Sequence, residues 1–348
     1  MTQHSSRQKP FPRELSLSFP AMPLRPLGDG SEAARPLEDA RSDSAQLVFR
    51  TLVVPLDGTQ HAEHALPYAL AIARRSRARI RLVRVHPRMD QFEPWHMCSV
   101  HEWNSREKRE AYDYLVDVAI RIARVSSVTV DVRLIDSTDA VEGLAKQSAR
   151  ADLVVMASRR RGFLRRLFSP SVANALRRRI RTPGLFVQGY PYPVDLTGDP
   201  IARRIVVPLN ETGFAERILR VATAVSRLKG APISLVNVQN HDWSRGASEH
   251  TTPTGYLTRI ADDVRRDGSP VNAHVITTKQ SIAAAVASFA KQRKVDVIAV
   301  ATRSDGDWAQ VVQGDMVDSL IRQTNLPLLV LGVDSRRKRA EATTIVEL

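Results

Sequence analysis

The feature that most restricts this chain is that it is written twice. The stretch TLVVPLDGTQHAEHALPYALAIARRSRARIRLVRV, Thr51 to Val85, aligns without a gap to RIVVPLNETGFAERILRVATAVSRLKGAPISLVNV, Arg204 to Val238, at a constant offset of 153. ADLVVMAS and TPGLFV, starting at Ala151 and Thr182, answer VDVIAVAT and LPLLVL, starting at Val295 and Leu326, at an offset of 144. The second copy is therefore nine residues shorter somewhere between its second and fourth strands. At 348 residues the chain is long enough for two domains that each bury a core.

Within each copy, short β-branched runs alternate with amphipathic stretches. In the first, Leu52 to Leu56, Ile80 to Val85, Val128 to Leu134, Leu153 to Ala157 and Leu185 to Val187 read as strands. Ala62, Leu66, Ala69, Leu70 and Ala73 recur at helical spacing between them, as do Leu115, Val118, Ala119 and Ile122. Strands that are almost wholly apolar and separated by helices imply a parallel sheet covered on both faces. The fold class is α/β, two tandem doubly wound Rossmann-like domains, each with a five-stranded parallel sheet. The boundaries read as an N-terminal segment 1–48 without fixed structure, a first domain 49–190, a linker 191–202, a second domain 203–334 and a basic tail 335–348. The Pro and Gly content of the linker region and the polar composition of the two ends carry those boundaries.

No run of eighteen apolar residues is present, so no membrane-spanning helix is expected. Pro10, Pro12, Pro20 and Pro23 interrupt the start of the chain, which argues against a secretory signal. A single cysteine, Cys98, leaves no internal disulfide framework and fits a reducing compartment. The expected location is the cytoplasm. The formal net charge of +14 points to anionic partners. That excess is local: residues 1 to 48 carry six basic and six acidic side chains, whereas Arg159 to Arg181 holds nine arginines and no acid.

In an open parallel sheet, ligands bind beyond the carboxyl ends of the strands, where the strand order reverses. The end of strand one, Asp57-Gly58-Thr59, and the loop after strand four, which is the arginine stretch, should meet there. Three readings of the arginines stay open. They are a solvated loop and helix face, a set of bidentate phosphate contacts, or a nucleic-acid patch. Phe163 and Phe168 are the only aromatic residues in the run, so base stacking has little to build on.

VVPLDGT together with ASRRRGFLRRLFSPSVANALRRRIRTPGLFV resembles the universal stress protein family in its tandem two-domain form, over roughly residues 49 to 333. Nucleotide-binding members carry two spaced glycines after strand four, then Gly-Ser or Gly-Thr at a helix start, and an Asp ending strand one. The resemblance implies an adenine nucleotide, ATP, as ligand, with Asp57, Arg160, Arg161, Ser171 and Val172 as the site in the first domain. Ala157 and Arg160 stand where the two loop glycines would be, and Pro170 at the third; a proline has no N–H for a phosphate. Ser169-Pro170 nevertheless opens a helix well. The second copy departs further, with Asn210 for the aspartate, Ala301 and Ser304 for the glycines, Gly314 retained, and Asp315 for the Ser/Thr. A carboxylate at that helix start repels a polyphosphate by about 4 kcal/mol per charge pair at about 4 Å in an effective dielectric near 20. A degenerate, empty second site is expected.

His96, Cys98 and His101, with His86, raise a metal reading, but no established metal spacing is present and no metal is expected. The stretch reads instead as a flap over the cleft with Trp95 and Trp103 as packing anchors. The sequence has no Walker loop, nucleophile elbow or paired metal-binding carboxylates. The expectation is a non-enzymatic protein of the stress response, acting through binding of an adenine nucleotide. The alternative is a scaffold for an unknown protein partner, or a nucleic-acid binder, working through the arginine face. By the resemblance, the last strands of the two domains pair within one chain as a pseudo-dimer, which covers two exposed edges and leaves further homodimerisation open.

Overall fold

The computed structural model describes residues 14–19, 47–87, 100–137, 140–158, 182–240, 252–303 and 316–333. Five strands of the first half are β2 (Thr51–Pro55), β3 (Arg79–Pro87), β4 (Val130–Ser137), β5 (Leu153–Ser158) and β6 (Gly184–Gln188). Those of the second half are β7 (Ile205–Pro208), β8 (Ile233–Asn240), β9 (Val271–Thr278), β10 (Val297–Arg303) and β11 (Leu328–Val333). The described helices of the first half are α1 (Gln60–Glu63), α2 (Leu66–Ser76), α3 (Val100–Val125) and α4 (Ala140–Ser148). In the second half they are α5 (Gly213–Glu216), α6 (Leu219–Arg227), α7 (Pro253–Arg266), α8 (Ile282–Gln292) and α9 (Met316–Gln323).

Together with β1 (Glu14–Phe19), the described strands join one eleven-stranded sheet in the order β1-β4-β3-β2-β5-β6-β11-β10-β7-β8-β9. Each half is parallel throughout, and the halves meet where β6 and β11 pair antiparallel, Leu185 opposite Leu329. The expected five-stranded sheets and the pairing of last strands are thus both present. The added element is β1 (Glu14–Phe19), antiparallel to β4 with Leu17 opposite Val132. This corrects the reading of residues 1–48 as wholly without structure. Leu15, Leu17 and Phe19 alternate with polar residues, the period of a half-covered strand.

Side chains of one strand go alternately to the two faces, as the pleat requires. Leu52 and Val54 join a hydrophobic layer that runs through both halves, from Phe49 and Leu70 to Leu235 and Leu329. Val53 faces the other way, into a cluster with Val83, Ile135, Leu144 and Met156 that belongs to the first half. The corresponding layer of the second half holds Val206, Val286, Ile298 and Leu320. Each fully buried Leu, Ile or Val stabilises the fold by about 1.5–3 kcal/mol.

The connection between halves is packed. Leu196, Ile201 and Ala202 are buried in the shared layer. Arg75 on α2 makes two hydrogen bonds to the Asp199 carboxylate, at 2.7 and 2.6 Å, and Arg74 reaches the Leu196 carbonyl. Tyr190 and Tyr192 stack at 5.2 Å, with the His64 ring edge-on to both. Gly189 passes so near α1 that a Cβ there would lie 2.4 Å from the His61 carbonyl oxygen.

The register also places the length difference between the copies. Ile80 pairs with Val130 and its counterpart Ile233 with Val271. The second copy is thus twelve residues shorter between its second and third strands and three longer before its fourth. The twelve match the difference between the 26 residues of α3 and the 14 of α7. At 1.5 Å per residue, α3 is longer by about 18 Å.

Because α1 would have to retreat from a methyl group, Gly189→Ala is expected to lower the unfolding free energy by about 1–3 kcal/mol. A urea titration of wild type and variant, read by far-ultraviolet circular dichroism, measures the change.

Candidate functional site: the crevice between the first and fourth strands

In both halves the strand order reverses between the first and fourth strands, β2 and β5 or β7 and β10. These neighbours pair only briefly. Leu52–Leu153 and Val53–Val154 are the paired residues in one half, Ile205–Val297 and Val206–Ile298 in the other. Beyond them the strands part toward their carboxyl ends and leave a crevice. The opposite end is held shut by a carboxylate. Asp152 Oδ2 accepts the backbone N–H groups of Arg50 and Thr51, both at 2.9 Å. Asp296 Oδ2 does the same for Arg203 and Arg204. These aspartates occupy matching places in ADLVV and VDVIAV, and sequence reasoning passed over them; their recurrence at the offset of 144 was the available signal.

Asp57 sits two residues past β2, exposed, at the mouth of the first crevice. Its Oδ1 accepts from the Thr59 N–H at 2.9 Å and the Thr59 hydroxyl at 2.6 Å. Thr59 in turn caps α1 through the Ala62 N–H. Oδ2 receives no hydrogen bond among the described residues. Asn210 repeats the turn in the second half, accepting from the Thr212 hydroxyl at 2.7 Å, and Thr212 caps α5.

The next position separates the two halves. Gly58 has φ +89, a conformation open to glycine, and the Arg84 guanidinium lies within 3.0–3.2 Å of where its Cβ would be. Arg84 also covers the Tyr114 ring, 5.3 Å from its centroid. The second half puts Glu211 at this position with φ +61, which costs a non-glycine residue about 1–2 kcal/mol. Arg84 is there replaced by Asn237, buried, whose Nδ2 donates to the Leu209 carbonyl at 3.2 Å and to Glu211 Oε1 at 3.4 Å. The first mouth thus carries the Arg84 guanidinium beside the Asp57 carboxylate, and the second carries the Glu211 carboxylate with no guanidinium in the place of Arg84.

Beneath the mouth, Glu63 is buried and accepts from the Tyr114 hydroxyl at 3.0 Å and from Arg121 at 2.9 Å. Burial first, then the Glu63 charge, raises the Tyr114 phenol well above its ordinary range. Glu216, Tyr256 and Arg259 are the counterparts. Arg259 lies 3.4 Å from Glu216 and over the Tyr256 ring, and burial again raises the phenol. The repeated glutamate in HAEHAL and FAERIL was the signal for this cluster.

Of the expected site residues, Asp57 and Asn210 are brought to their crevices. Arg160, Arg161, Ser171, Val172, Ser304, Gly314 and Asp315 lie outside the described residues. Ala157 and Ala301, aligned with the first loop glycine, are still within β5 and β10, paired with Val187 and Leu331. Alanine carries no conformational penalty at a strand position, so this departure from glycine costs the backbone nothing.

His96, Cys98 and Trp95 also lie outside the described residues, while His101 and Trp103 fall in α3, which corrects their reading as part of a flap. Among the described residues no group of three His, Cys, Asp or Glu side chains converges to hold a metal. His86 is buried at the end of β3 opposite Asp136 of β4, and Asp136 accepts from Lys108 of α3 at 2.5 Å. Since Lys108 already stands at the strand ends, the preceding turns of α3 project past them, on the side of the first crevice. Desolvation lowers the His86 pKa from its ordinary 6.5, against a hydrogen bond with Asn104 that raises it.

The folded chain therefore takes up a proton on His86 at lower pH than the unfolded chain does. Its contribution is fully present above about pH 6.5 and is lost as the pH falls below it. Unfolding free energies measured from pH 7.5 down to 5 should decline, and His86→Gln should flatten part of that decline. His274, lowered by burial and then by Arg293, adds a slope of the same sign.

A family model described as the universal stress protein family matches residues 49–188 and again 202–332. Among solved structures, a universal stress protein from Archaeoglobus fulgidus is similar at 17% identity and a TM-score of 0.64, covering 83% of this chain and 99% of that one. A functionally unknown protein from Pseudomonas aeruginosa is similar at 15% identity and a TM-score of 0.53, covering 84% and 96%. No curated protein matches significantly. Among the described residues, no helix is long and apolar enough to cross a membrane.

Proposed function

Because the chain belongs to the universal stress protein family, matched once by each half, we propose that it is a non-enzymatic cytoplasmic stress-response protein. Its first crevice takes an adenine nucleotide, ATP, and its second is a degenerate partner. The observation that carries this reading is that the first mouth has a guanidinium where the second has an amide, and the second has a carboxylate where the first has a glycine. Arg84 stands beside Gly58 at the first mouth, Glu211 and Asn237 at the second. A polyphosphate approaching Glu211 meets a carboxylate; at about 4 Å and an effective dielectric near 20 the repulsion is about 4 kcal/mol per charge pair, less where water screens it.

In the first domain, Asp57 would accept from the nucleoside, and Arg160 and Arg161 would supply charge-assisted bonds to the phosphates. Ser171 and Val172 would present N–H groups at a helix start. In the second, Asn210, Ser304, Gly314 and Asp315 complete a site with no room for added negative charge. Nucleic acid is the second reading, favoured by nine arginines between residues 159 and 181.

Equilibrium dialysis of the full chain against labelled ATP with Mg²⁺ at physiological salt tests the proposal. Expected are one nucleotide per chain, loss of binding in Ser171→Asp, and weakening by about tenfold in Asp57→Ala, the worth of one charge-assisted hydrogen bond. Absence of binding to the wild type overturns it. Binding of oligonucleotides that falls steeply with salt, and less steeply once arginines are removed, would transfer the arginine stretch to nucleic acid.

A further inference from the structure

The sheet has two ends, and they differ. One ends in β1, six residues long, which begins with Glu14 and has Pro12 and Pro20 beside it in sequence. Short length, charge and proline are the means by which edge strands avoid further pairing. The other ends in β9, VNAHVITT, eight residues long and paired with β8 along its whole length. Nothing pairs with its outer side among the described residues. It holds no proline, no lysine and no acid. Its counterpart β4, VDVRLIDS, carries Asp131, Arg133 and Asp136 where β9 has Asn272, His274 and Thr277. Ala273, Val275 and Thr277 are exposed along one face, Val275 by 42%.

We propose that β9 is a homodimer interface, where it pairs antiparallel with β9 of a second copy about a twofold axis that lies between the two strands, level with Val275. Three observations select that occupant. First, the position equivalent to the outer side of β9 is filled in the first half by an antiparallel strand, β1 on β4, so the geometry admits one. Second, β9 has no charge of its own to repel an identical strand. Third, β9 on β9 closes after two copies, whereas β1 of one chain on β9 of the next would propagate without end. Twofold symmetry about an axis normal to the sheet requires facing residues to share a face. With the axis level with Val275, that residue meets Val275 of the second copy and Ala273 meets Thr277. A strand pair alone falls short of the roughly 1,000 Å² expected of a specific interface. Helix α7 on one face, and α8 on the other, where the Phe289 ring lies 5.0 Å from the His274 ring, flank the seam and supply the remainder.

Sedimentation velocity of the full-length chain over a range of micromolar concentrations is the test. Expected is a reversible monomer–dimer equilibrium that stops at two. Val275→Lys should weaken it by about tenfold or more, since like charges then face each other across the strands, Ala273→Lys should weaken it less, its lysine facing Thr277, and Val275→Thr should retain it. A monomer at every concentration, species that grow beyond the dimer, or a dimer indifferent to both lysines overturns the proposal. Backbone hydrogen exchange of the unmodified chain gives a reading independent of any variant: protection of 271–278 should rise with protein concentration, and protection that stays constant overturns the proposal.

Discussion

The rest of the molecule depends on a pairing that is closed at one end and released at the other. In each half, two residue pairs bind the first strand to the fourth, and a carboxylate at the start of the fourth strand takes two backbone N–H groups from the start of the first. Because the hydrogen bonds sit at one end, the strands separate at the other, and the loops that follow them are carried to a common opening. Asp57 and Asn210 come to that opening for this reason. Their own turn, a side-chain oxygen accepting from a threonine that caps the next helix, then sets the direction in which the chain leaves.

Much of this was legible. The repeat identified the strands, and the apolar runs read from Leu52, Ile80, Leu153 and Leu185 begin within β2, β3, β5 and β6. Their continuity required two covered faces, and the repeat then required the same sheet twice. Harder to see were features whose signal is local and weak. The alternation in ELSLSF is strand-like, but it is six residues long and lies between prolines, so polar composition outweighed it. The connection after β6 has a linker's composition, yet its few apolar residues, Leu196, Ile201 and Ala202, suffice to dock it. Arg84 was invisible as a site residue because nothing in a strand's alternation tells a salt-bridging arginine from one at a crevice mouth. Its relevance comes from Gly58, whose missing Cβ leaves the space it occupies.

Duplication explains why the halves could diverge. Scaffold elements are kept in both: the capping threonines, the strand-binding aspartates, and the glutamate beneath a tyrosine and an arginine. Differences concentrate at the mouths. Glu211 in a left-handed conformation is tolerated where a glycine would be relaxed, and its contact with Asn237 accompanies that strain. The first half adds three turns to α3 on the same side as its crevice. Stability constrains the shared parts, and the openings are free to take different chemistry.

The antiparallel meeting of β6 and β11 has a geometric consequence. Strands β2 to β6 all run one way and strands β7 to β11 all run the other, so the two crevices open on opposite rims of the sheet, facing away from each other. No single small molecule can span them, and no side chain from one rim reaches across to complete the other. Any communication between them has to be mechanical, carried through the rigid seam of backbone hydrogen bonds at the centre. Whatever binds at one rim leaves the far rim geometrically free to meet a different partner at the same time.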